Sequence, residues 1–598
     1  MNLLKNKTGI AVIVLIIAGS FVYAFNLDNG LFWDDDDWII NNNFVHSISW
    51  DNVKFWFSNN VLGGVGLKSN YYRPFLFFTF AFNWVLSETK PFLWHLVSNS
   101  IHIANAVLVF VLFRRYAGNL VSFLTALIFV IHPLNTEAVT YIAGRGDPLS
   151  VLFMLLGLLF FIKDIESPNT IRYKLFTASF LILAILSRET GIIFPFLLMI
   201  FYISFVAKDR FLSAVKKAFF EALPYFGVVL IYGILRLTVL NFQNTLNFYA
   251  TPNTYSENLY VRVFTFLPIL WEYLKLLVVP TGLHMERDAA VYSAFFQWPV
   301  WFVFLVLVGL LGWLWHLYKK NRVIPTTEFG VWFFGIFWFF VALAPVSGIA
   351  PINALMYEHW LYLPMVGFWL IVSYCLVKLL NFQGSALQGS TLNPQKGRTF
   401  IFGRTLLVVA LVAYFSFFAY QSIQRNIIWK NPIEFYKNIL KYEPESVRIN
   451  NNLGNQYYNQ KNIEQAEFYY RKAVELGDVF AQPHFNIGSI LQSRGDIAGA
   501  IKEYEKAVKI DPDFFLPYQN LAVIYAQQGN LTKAAENIEK LKMLIPNNPR
   551  VYYNSALVYL ALNNREKAIA DLKEGLKYVL ADPATGELIE ELIGRLER

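Results

Sequence analysis

Charge is scarce in this chain. Only 15% of its 598 residues are charged, against 56% hydrophobic and 18% aromatic, and the mean hydropathy is +0.40. A soluble globular chain carries about 25% charged residues, so one soluble enzyme with a single large core is excluded. Cysteine is scarcer still. Cys375 is the one thiol, which excludes an intramolecular disulfide framework and any Cys-clustered zinc or iron–sulfur site. No HExxH, GxSxG or Walker loop occurs, which leaves zinc protease, serine hydrolase and ATPase readings without support. The charge pattern of a nucleic-acid binder is missing as well, so no nucleic-acid partner is expected.

What is present is aromatic and apolar: Phe (56), Tyr (33) and Trp (16) are too frequent for a disordered chain. Residues 447–598 hold 18 Lys+Arg and 19 Asp+Glu, whereas the preceding 446 residues hold 32 and 23. The basic excess therefore sits beside the apolar runs, the pattern of membrane topology. The chain reads as a membrane protein with a soluble tail.

Runs of about 20 apolar residues cross a bilayer as helices. About eleven crossings are predicted, near 9–25, 92–113, 119–142, 148–164, 173–187, 190–206, 218–240, 298–318, 329–346, 360–380 and 403–423. Lys and Arg accumulate on the cytoplasmic side. They do so here at Lys5/Lys7, Arg114/Arg115, Lys163 with Arg172/Lys174, Lys208/Arg210/Lys216/Lys217, Lys319/Lys320/Arg322 and Lys378/Lys396/Arg398/Arg404, at every second connection. The N-terminus is thus expected in the cytoplasm and the tail on the outer (periplasmic, extracellular or luminal) side. Pro74–Leu86 and Leu259–Val279 break this alternation if counted, and are read as interfacial or re-entrant helices on the outer face. The stretch 381–402, with Gly384, Ser385, Gly389, Ser390 and Gly397, reads as a flexible cytoplasmic linker.

The tail repeats. Gly454, Gly488, Ala522 and Ala556 are spaced by 34, as are Tyr457, Leu491, Tyr525 and Tyr559, and Ala466, Ala500, Ala534 and Ala568. This period and small–aromatic–small pattern resemble the tetratricopeptide repeat, a helix–turn–helix unit. Small residues let paired helices approach, and aromatics fill the space between units. Four repeats are predicted, 447–480, 481–514, 515–548 and 549–582, with a capping helix at 584–597. The expected domains are 1–430 in the membrane, a connector at 431–446, and the repeats at 447–598. Asn451, Asn452, Asn486, Asn520 and Asn554 lie near the first helices of their repeats. They read equally as ligands for a peptide backbone or as a solvated polar face.

Four clusters could carry chemistry at the outer ends of the apolar helices, where charge is costly to desolvate. The first is Trp33-Asp34-Asp35-Asp36-Asp37-Trp38. Adjacent carboxylates repel, so at least one has a raised pKa or binds a cation (Mg or Mn), unless the run is simply a solvated loop. A carboxylate so held can act as general base on an alcohol. The second runs from His132-Pro133-Leu134-Asn135-Thr136-Glu137 to Arg145-Gly146-Asp147-Pro148. There Arg145 is either an interfacial ion-pair partner of Asp147 or a phosphate ligand. The third is the tight turn Ser187-Arg188-Glu189-Thr190, and the fourth is Tyr357-Glu358-His359-Trp360-Leu361-Tyr362-Leu363-Pro364. Each also has a plain structural reading, as a loop ion pair or a histidine that only bridges neighbours.

Taken together the clusters carry a resemblance. Trp33-Asp34-Asp35, with Ile39 and Asn42 following, resembles the first-loop diacid of the C-type (GT-C), polyprenyl-phosphate-dependent glycosyltransferases. His132-Pro133-Leu134-Asn135-Thr136-Glu137-Ala138-Val139 followed by Gly144-Arg145-Gly146-Asp147 resembles a block of the transmembrane-and-tetratricopeptide-repeat proteins, which are protein O-mannosyltransferases. Ser187-Arg188-Glu189-Thr190 resembles that family's Lys-Glu turn, with Arg188 in place of lysine. Residues 358–368 resemble its Glu-plus-basic Leu-Tyr-Leu-Pro block, with His359 at the basic position.

The resemblance implies an all-α polytopic bundle of GT-C type followed by an α-solenoid. It also implies a lipid-linked sugar donor, a polyprenyl-phosphate mannose or similar, used on the outer face. Asp34 or Asp35 would be the catalytic base, chosen because they follow Trp33 directly. Arg145 and Arg188 would hold the donor phosphate, while His132, Glu137, Asp147, Glu189, Glu358 and His359 would orient substrates. A divalent cation, if used, would sit on Asp34, Asp35, Asp36 and Asp37. The repeats would hold a Ser/Thr-containing protein acceptor. Two other functions remain open: a transferase of the same class acting on a lipid or cell-wall glycan, and a non-enzymatic scaffold anchored in the bilayer.

Overall fold

The computed structural model describes residues 7–67, 69–167, 171–242, 253–321, 327–352, 354–389 and 394–598. Helices account for nearly all of the regular structure, and among the described residues the only β pairing is an isolated bridge between Arg287 and Met356. The chain divides into two compact units, Met1–Asn431 and Pro432–Arg598.

In the first unit, eight helices of the described residues are long and apolar enough to cross a membrane: Thr8–Asn26, Pro91–Ala117, Ala143–Glu166, Phe211–Leu237, Trp298–Lys319, Thr327–Val346, Pro364–Asn381 and Phe402–Ile428. The pair Asn119–Ile131 and Pro133–Thr140, bent by 51°, makes a ninth if it is one broken span. This is a multi-pass membrane protein. The count is lower than the eleven predicted. The other two predicted crossings exist as helices, Ile171–Ser187 and Glu189–Phe205, but both fall short of a full span. Arg188 and Glu189 interrupt the apolar run between them, and their side chains are bound to charged groups elsewhere. Leu259–Val278 forms a helix of 20 residues that carries Arg262, Glu272 and Lys275, too polar for a span, and Pro74–Ser87 has only 14 residues.

The flexible linker predicted at 381–402 is helical wherever it is described, since one helix runs Pro364–Gly389 and the next starts at Pro394. Ala386, Leu387 and Gln388 are good helix formers and outweigh the glycines. Ser390 lies outside the described residues.

The core of this unit lies between Pro91–Ala117, Asn119–Ile131, Gly146–Glu166, Thr327–Leu343 and Pro364–Gly389. Two of these helices touch backbone to backbone. A Cβ on Gly367 would lie 2.5 Å from the Gly335 carbonyl oxygen, and one on Gly335 2.6 Å from that of Gly367. Small residues at such crossings replace the hydrophobic drive that lipid cannot supply.

In the second unit, helix pairs 447–459/463–476, 481–493/497–510, 515–527/531–544 and 549–561/565–575 stack in order, and Pro583–Leu596 closes the array. The segment predicted as a connector carries a helix, Pro432–Leu440, packed on the first repeat helix. At each joint within a pair the local chemistry recurs. Asn462, Asp496, Asn530 and Asn564 accept from the backbone N–H three residues on, the N-cap geometry of a helix start. The residue before each cap has positive φ: Lys461 (63°), Gly495 (85°), Gly529 (74°) and Asn563 (58°).

Only glycine takes that conformation without a Cβ penalty, which is about 1–2 kcal/mol for other L-residues. Lys461→Gly is therefore expected to raise the melting temperature of the full chain, and Gly529→Ala to lower it. Shifts of the same sign in both variants would contradict this. The repeat asparagines bond laterally: Asn486 Nδ2 donates to Asn451 Oδ1 and Asn455 Oδ1, both at 3.0 Å, and Asn520 Nδ2 donates to the Tyr504 hydroxyl at 2.9 Å.

Candidate active site

The four clusters meet at one end of the membrane unit, because each sits where a helix breaks. Pro133 has no amide hydrogen to continue the ladder, and the helix beginning at Asn119 ends at Ile131. His132 caps the break: its Nδ1 accepts from the Leu134 N–H at 3.3 Å, while Nε2 lies 3.0 Å from the Leu277 carbonyl. Fully buried with both nitrogens engaged, His132 fastens helices together and does not line the cleft of Asp147, Arg188 and His359, where a substrate-orienting residue is expected.

Arg145 is also corrected. Its side chain is completely buried. Nε donates to Ser98 Oγ (3.0 Å), Nη1 to Asn83 Oδ1 (2.6 Å) and Thr79 Oγ1 (3.4 Å), and Nη2 to the Trp94 carbonyl (2.9 Å). The rings of Phe80 and Trp94 flank the guanidinium. In this structure the guanidinium faces these neutral acceptors, and Asp147 pairs with Arg188 instead. It pins Pro74–Ser87 and Pro91–Ala117 to the start of the helix that carries Asp147.

The acidic run lies against that same helix start. Trp33 has φ 67°, a strained conformation for a bulky residue and one that clusters at functional sites. It is followed by a single π-helical turn, Asp36–Ile40. Asp35 is buried: Oδ1 accepts from the Ala143 N–H at 2.7 Å and Oδ2 from the Phe32 N–H at 3.4 Å. Burial raises its pKa well above the usual carboxylate range, with Asp34 and Asp36 adding to the rise and the Ala143 N–H opposing it. Asp34, Asp36 and Asp37 are half-buried.

Burial, then Asp37 and Asp34, push Asp36 up to about 6. In an unfolded chain the group titrates near about 3.9, so the stability it contributes is present at low pH and lost as pH rises through about 6. Asp36→Asn is expected to raise the melting temperature at pH 7.5 and leave it unchanged at pH 4. An equal shift at both would refute the repulsion. Among the described residues no three His, Cys, Asp or Glu side chains converge as a metal cage.

Beyond the run, charged groups pair across elements. Arg188 Nη1 meets Asp147 Oδ2 at 2.5 Å. His359 Nδ1 lies 2.6 Å from Glu137 Oε1, its backbone N–H donates to Glu137 Oε2 at 3.3 Å, and its Nε2 is 3.9 Å from Asp147 Oδ2. Burial pulls the His359 imidazole down to about 3. Glu189 takes the Tyr72 N–H at 2.7 Å and Arg73 Nε at 3.0 Å. Arg73 also lies over Tyr71 and Trp38, which links this cluster to the acidic run. Glu358 is fully buried between two guanidiniums, Arg287 Nη2 at 2.6 Å and Arg425 Nη2 at 2.7 Å.

Sequence reasoning missed Arg73, Arg287 and Arg425. Only Tyr71-Tyr72-Arg73-Pro74, a cation among aromatics, carried a local signal.

Asp147, Arg188, Thr190 and His359 line a cleft of ≈ 30 Å³ whose other walls are apolar, among them Val151, Met154, Ile193 and Leu363. A larger groove, ≈ 600 Å³, follows Trp271–Val279. Its Lys275 and Glu272 pair at 2.7 Å and its Arg287 is held by Glu358, so it offers an apolar wall without chemistry.

Family models described as tetratricopeptide or TPR repeat match residues 447–477, 488–529, 517–548 and 549–578. The tail is a tetratricopeptide array. Over most of its length the chain is similar to curated proteins. Protein O-mannosyl-transferase TMTC3 of Mus musculus is 24% identical over 512 residues, 81% of this chain and 52% of that protein. Protein O-mannosyl-transferase F38B6.6 of Caenorhabditis elegans is 24% identical over 79% of this chain and 64% of that protein. Protein O-mannosyl-transferase TMTC1 of Homo sapiens is 23% identical over 81% and 57% respectively. Its curated homologues are protein O-mannosyl-transferases. The chain spans about half the length of the first of these relatives. Among solved structures, a MamA protein matches with 26% identity and a TM-score of 0.23, over 25% of this chain and 80% of that one.

Against these relatives, the tetratricopeptide array and the bundle stand together with the site geometry. Asp34, Asp35, Glu137, Asp147, Arg188, Glu189, Glu358 and His359 gather at the broken helix ends, while Arg145 and His132 act as structural anchors behind them.

Proposed function

We propose that the chain is a membrane O-mannosyltransferase that moves the sugar of a polyprenyl-phosphate donor to Ser or Thr hydroxyls of a protein acceptor. The observation that carries this reading is the cleft where Arg188, Asp147 and His359 meet apolar walls, beside an acidic loop under strain. A phosphate at Arg188 has apolar side chains beside it, and its sugar faces the acidic run. The Ala143 N–H that binds Asp35 lies four residues before Asp147, about 6 Å along a helix axis.

Asp34 takes the proton of the acceptor hydroxyl as its oxygen attacks the anomeric carbon. The bond from that carbon to the phosphate oxygen breaks, and the polyprenyl phosphate leaves with the electron pair, its charge stabilised by Arg188. One displacement inverts the anomeric configuration. Asp35, bound to backbone amides, sets the position of Asp34. No step passes through a metal ion.

Charge supports an outward-facing site. The helix Pro91–Ala117 meets Arg145 at Trp94 and ends in Arg114 and Arg115, about 30 Å away. Gly146–Glu166 likewise starts at Asp147 and has Lys163 in its last turn. Basic ends mark the cytoplasm, which supports a site on the outer side. On the array, a pocket of ≈ 240 Å³ lined by Gln519, Val523, Arg550, Asn554 and Leu557 offers an acceptor segment both apolar and amide contacts, and tethering there raises its local concentration.

The test uses purified chain in nanodiscs, radiolabelled polyprenyl-phosphate mannose and glucose, and a pool of Ser/Thr peptides. Mannose on peptide is expected. Sugar appearing on lipid would move the reading to glycolipid synthesis, and no transfer from either donor would refute it.

A further inference from the structure

Every guanidinium around the cleft already faces a carboxylate: Arg188 faces Asp147, Arg73 faces Glu189, and Arg287 and Arg425 face Glu358. A phosphate entering beside Arg188 brings one more negative charge into a site with little water, where an uncompensated charge is costly. Among the described residues no guanidinium forms an ion pair with Glu137, whose partner is His359. Of the side chains lining the cleft, the imidazole is the one that exchanges between a neutral and a cationic form, and in the empty site burial keeps it neutral.

Its surroundings suit the charged form once the phosphate is present. Nδ1 faces Glu137 at 2.6 Å and Nε2 faces Asp147 at 3.9 Å, with Tyr357 stacked on the ring and Arg188, Arg73 and Glu358 the other charges nearby. Both ring nitrogens then donate, one to Glu137 and the other toward Asp147 and the phosphate.

We infer that His359 binds the donor phosphate only in its protonated form, so that loading the donor is linked to retention of one proton by the Glu137–His359 pair. The inference rests on the donor reading above. Once the pair has lost its proton and Glu137 is ionised, the neutral imidazole donates Nδ1–H to it and presents only a lone pair at Nε2, which repels a phosphate oxygen. A protonated ring presents an N–H instead. The same charge stabilises the second negative charge that appears on the phosphate when the bond to the sugar breaks. Histidine makes the cation conditional on pH.

The experiment measures binding of methyl farnesyl phosphate, a diester that stays singly charged from pH 6 to 9, to the full chain in nanodiscs. For wild type the dissociation constant is expected to rise up to tenfold per pH unit at the alkaline end. For His359→Arg, whose charge is permanent, it is expected to stay flat, and His359→Gln is expected to bind weakly throughout. A flat wild-type profile, or an identical slope in His359→Arg, would overturn the proton linkage while leaving the donor reading intact. Binding that is absent in wild type at every pH would overturn both. Melting curves of His359→Arg and wild type at each pH show whether folding contributes.

Discussion

Asp34→Asn is expected to lower sugar transfer by about 10²–10⁴, the usual contribution of a positioned general base, with affinity for the donor unchanged. Asp35→Asn should behave differently. Its two oxygens are bound to the Ala143 and Phe32 amides; the single asparagine oxygen can still accept the shorter bond from Ala143, while its NH2 would face the Phe32 N–H, donor against donor. Transfer by Asp35→Asn should fall less, and its melting temperature should drop. The pair of variants separates base from brace, because only the first combines an intact fold with lost chemistry. Should Asp34→Asn keep full activity while Asp35→Asn is inert and equally stable, the roles are reversed.

Arg145→Met is expected to lose stability and not donor affinity. Its guanidinium supplies Ser98, Asn83 and the Trp94 carbonyl. Each buried acceptor left without a donor costs about 1–3 kcal/mol, against a typical total of about 5–15 kcal/mol. A fall in melting temperature of roughly 3–10 °C follows for a unit of this size. Arg188→Lys should do the opposite. It retains a charge beside Asp147 but loses the planar fork that suits phosphate, so the fold holds and KM for the donor rises about tenfold. Donor kinetics that change in Arg145→Met at normal stability would restore that residue to the phosphate.

Much of this architecture is written in local patterns. The 34-residue spacing of Gly454, Gly488, Ala522 and Ala556 announces the helix pairs, because close helix contacts tolerate only small side chains. Pro133 and the Arg188–Glu189 pair mark helix breaks for reasons confined to a few residues. What escaped the sequence is long-range. Whether Arg145 points to a ligand or to Asn83, Ser98 and Trp94 depends on residues 47–62 positions away. Arg287 and Arg425 sit 71 and 67 residues from the Glu358 they enclose, in segments with no motif of their own. Spacing along the chain says little about such pairings, which are set by how helices pack. The shortfall in full-length crossings has the same origin, since hydropathy cannot register that buried partners hold Arg188 and Glu189 in place.

The recurring joint in the solenoid governs how it can lengthen. A left-handed residue followed by a capping side chain appears at 461–462, 495–496, 529–530 and 563–564. An in-frame duplication of residues 515–548 would therefore deliver a cassette whose two faces already fit their neighbours. An insertion one residue out of phase would set a capping residue inside a helix and a helical residue at the bend. This half of the chain can thus accept whole units far more readily than fragments of one.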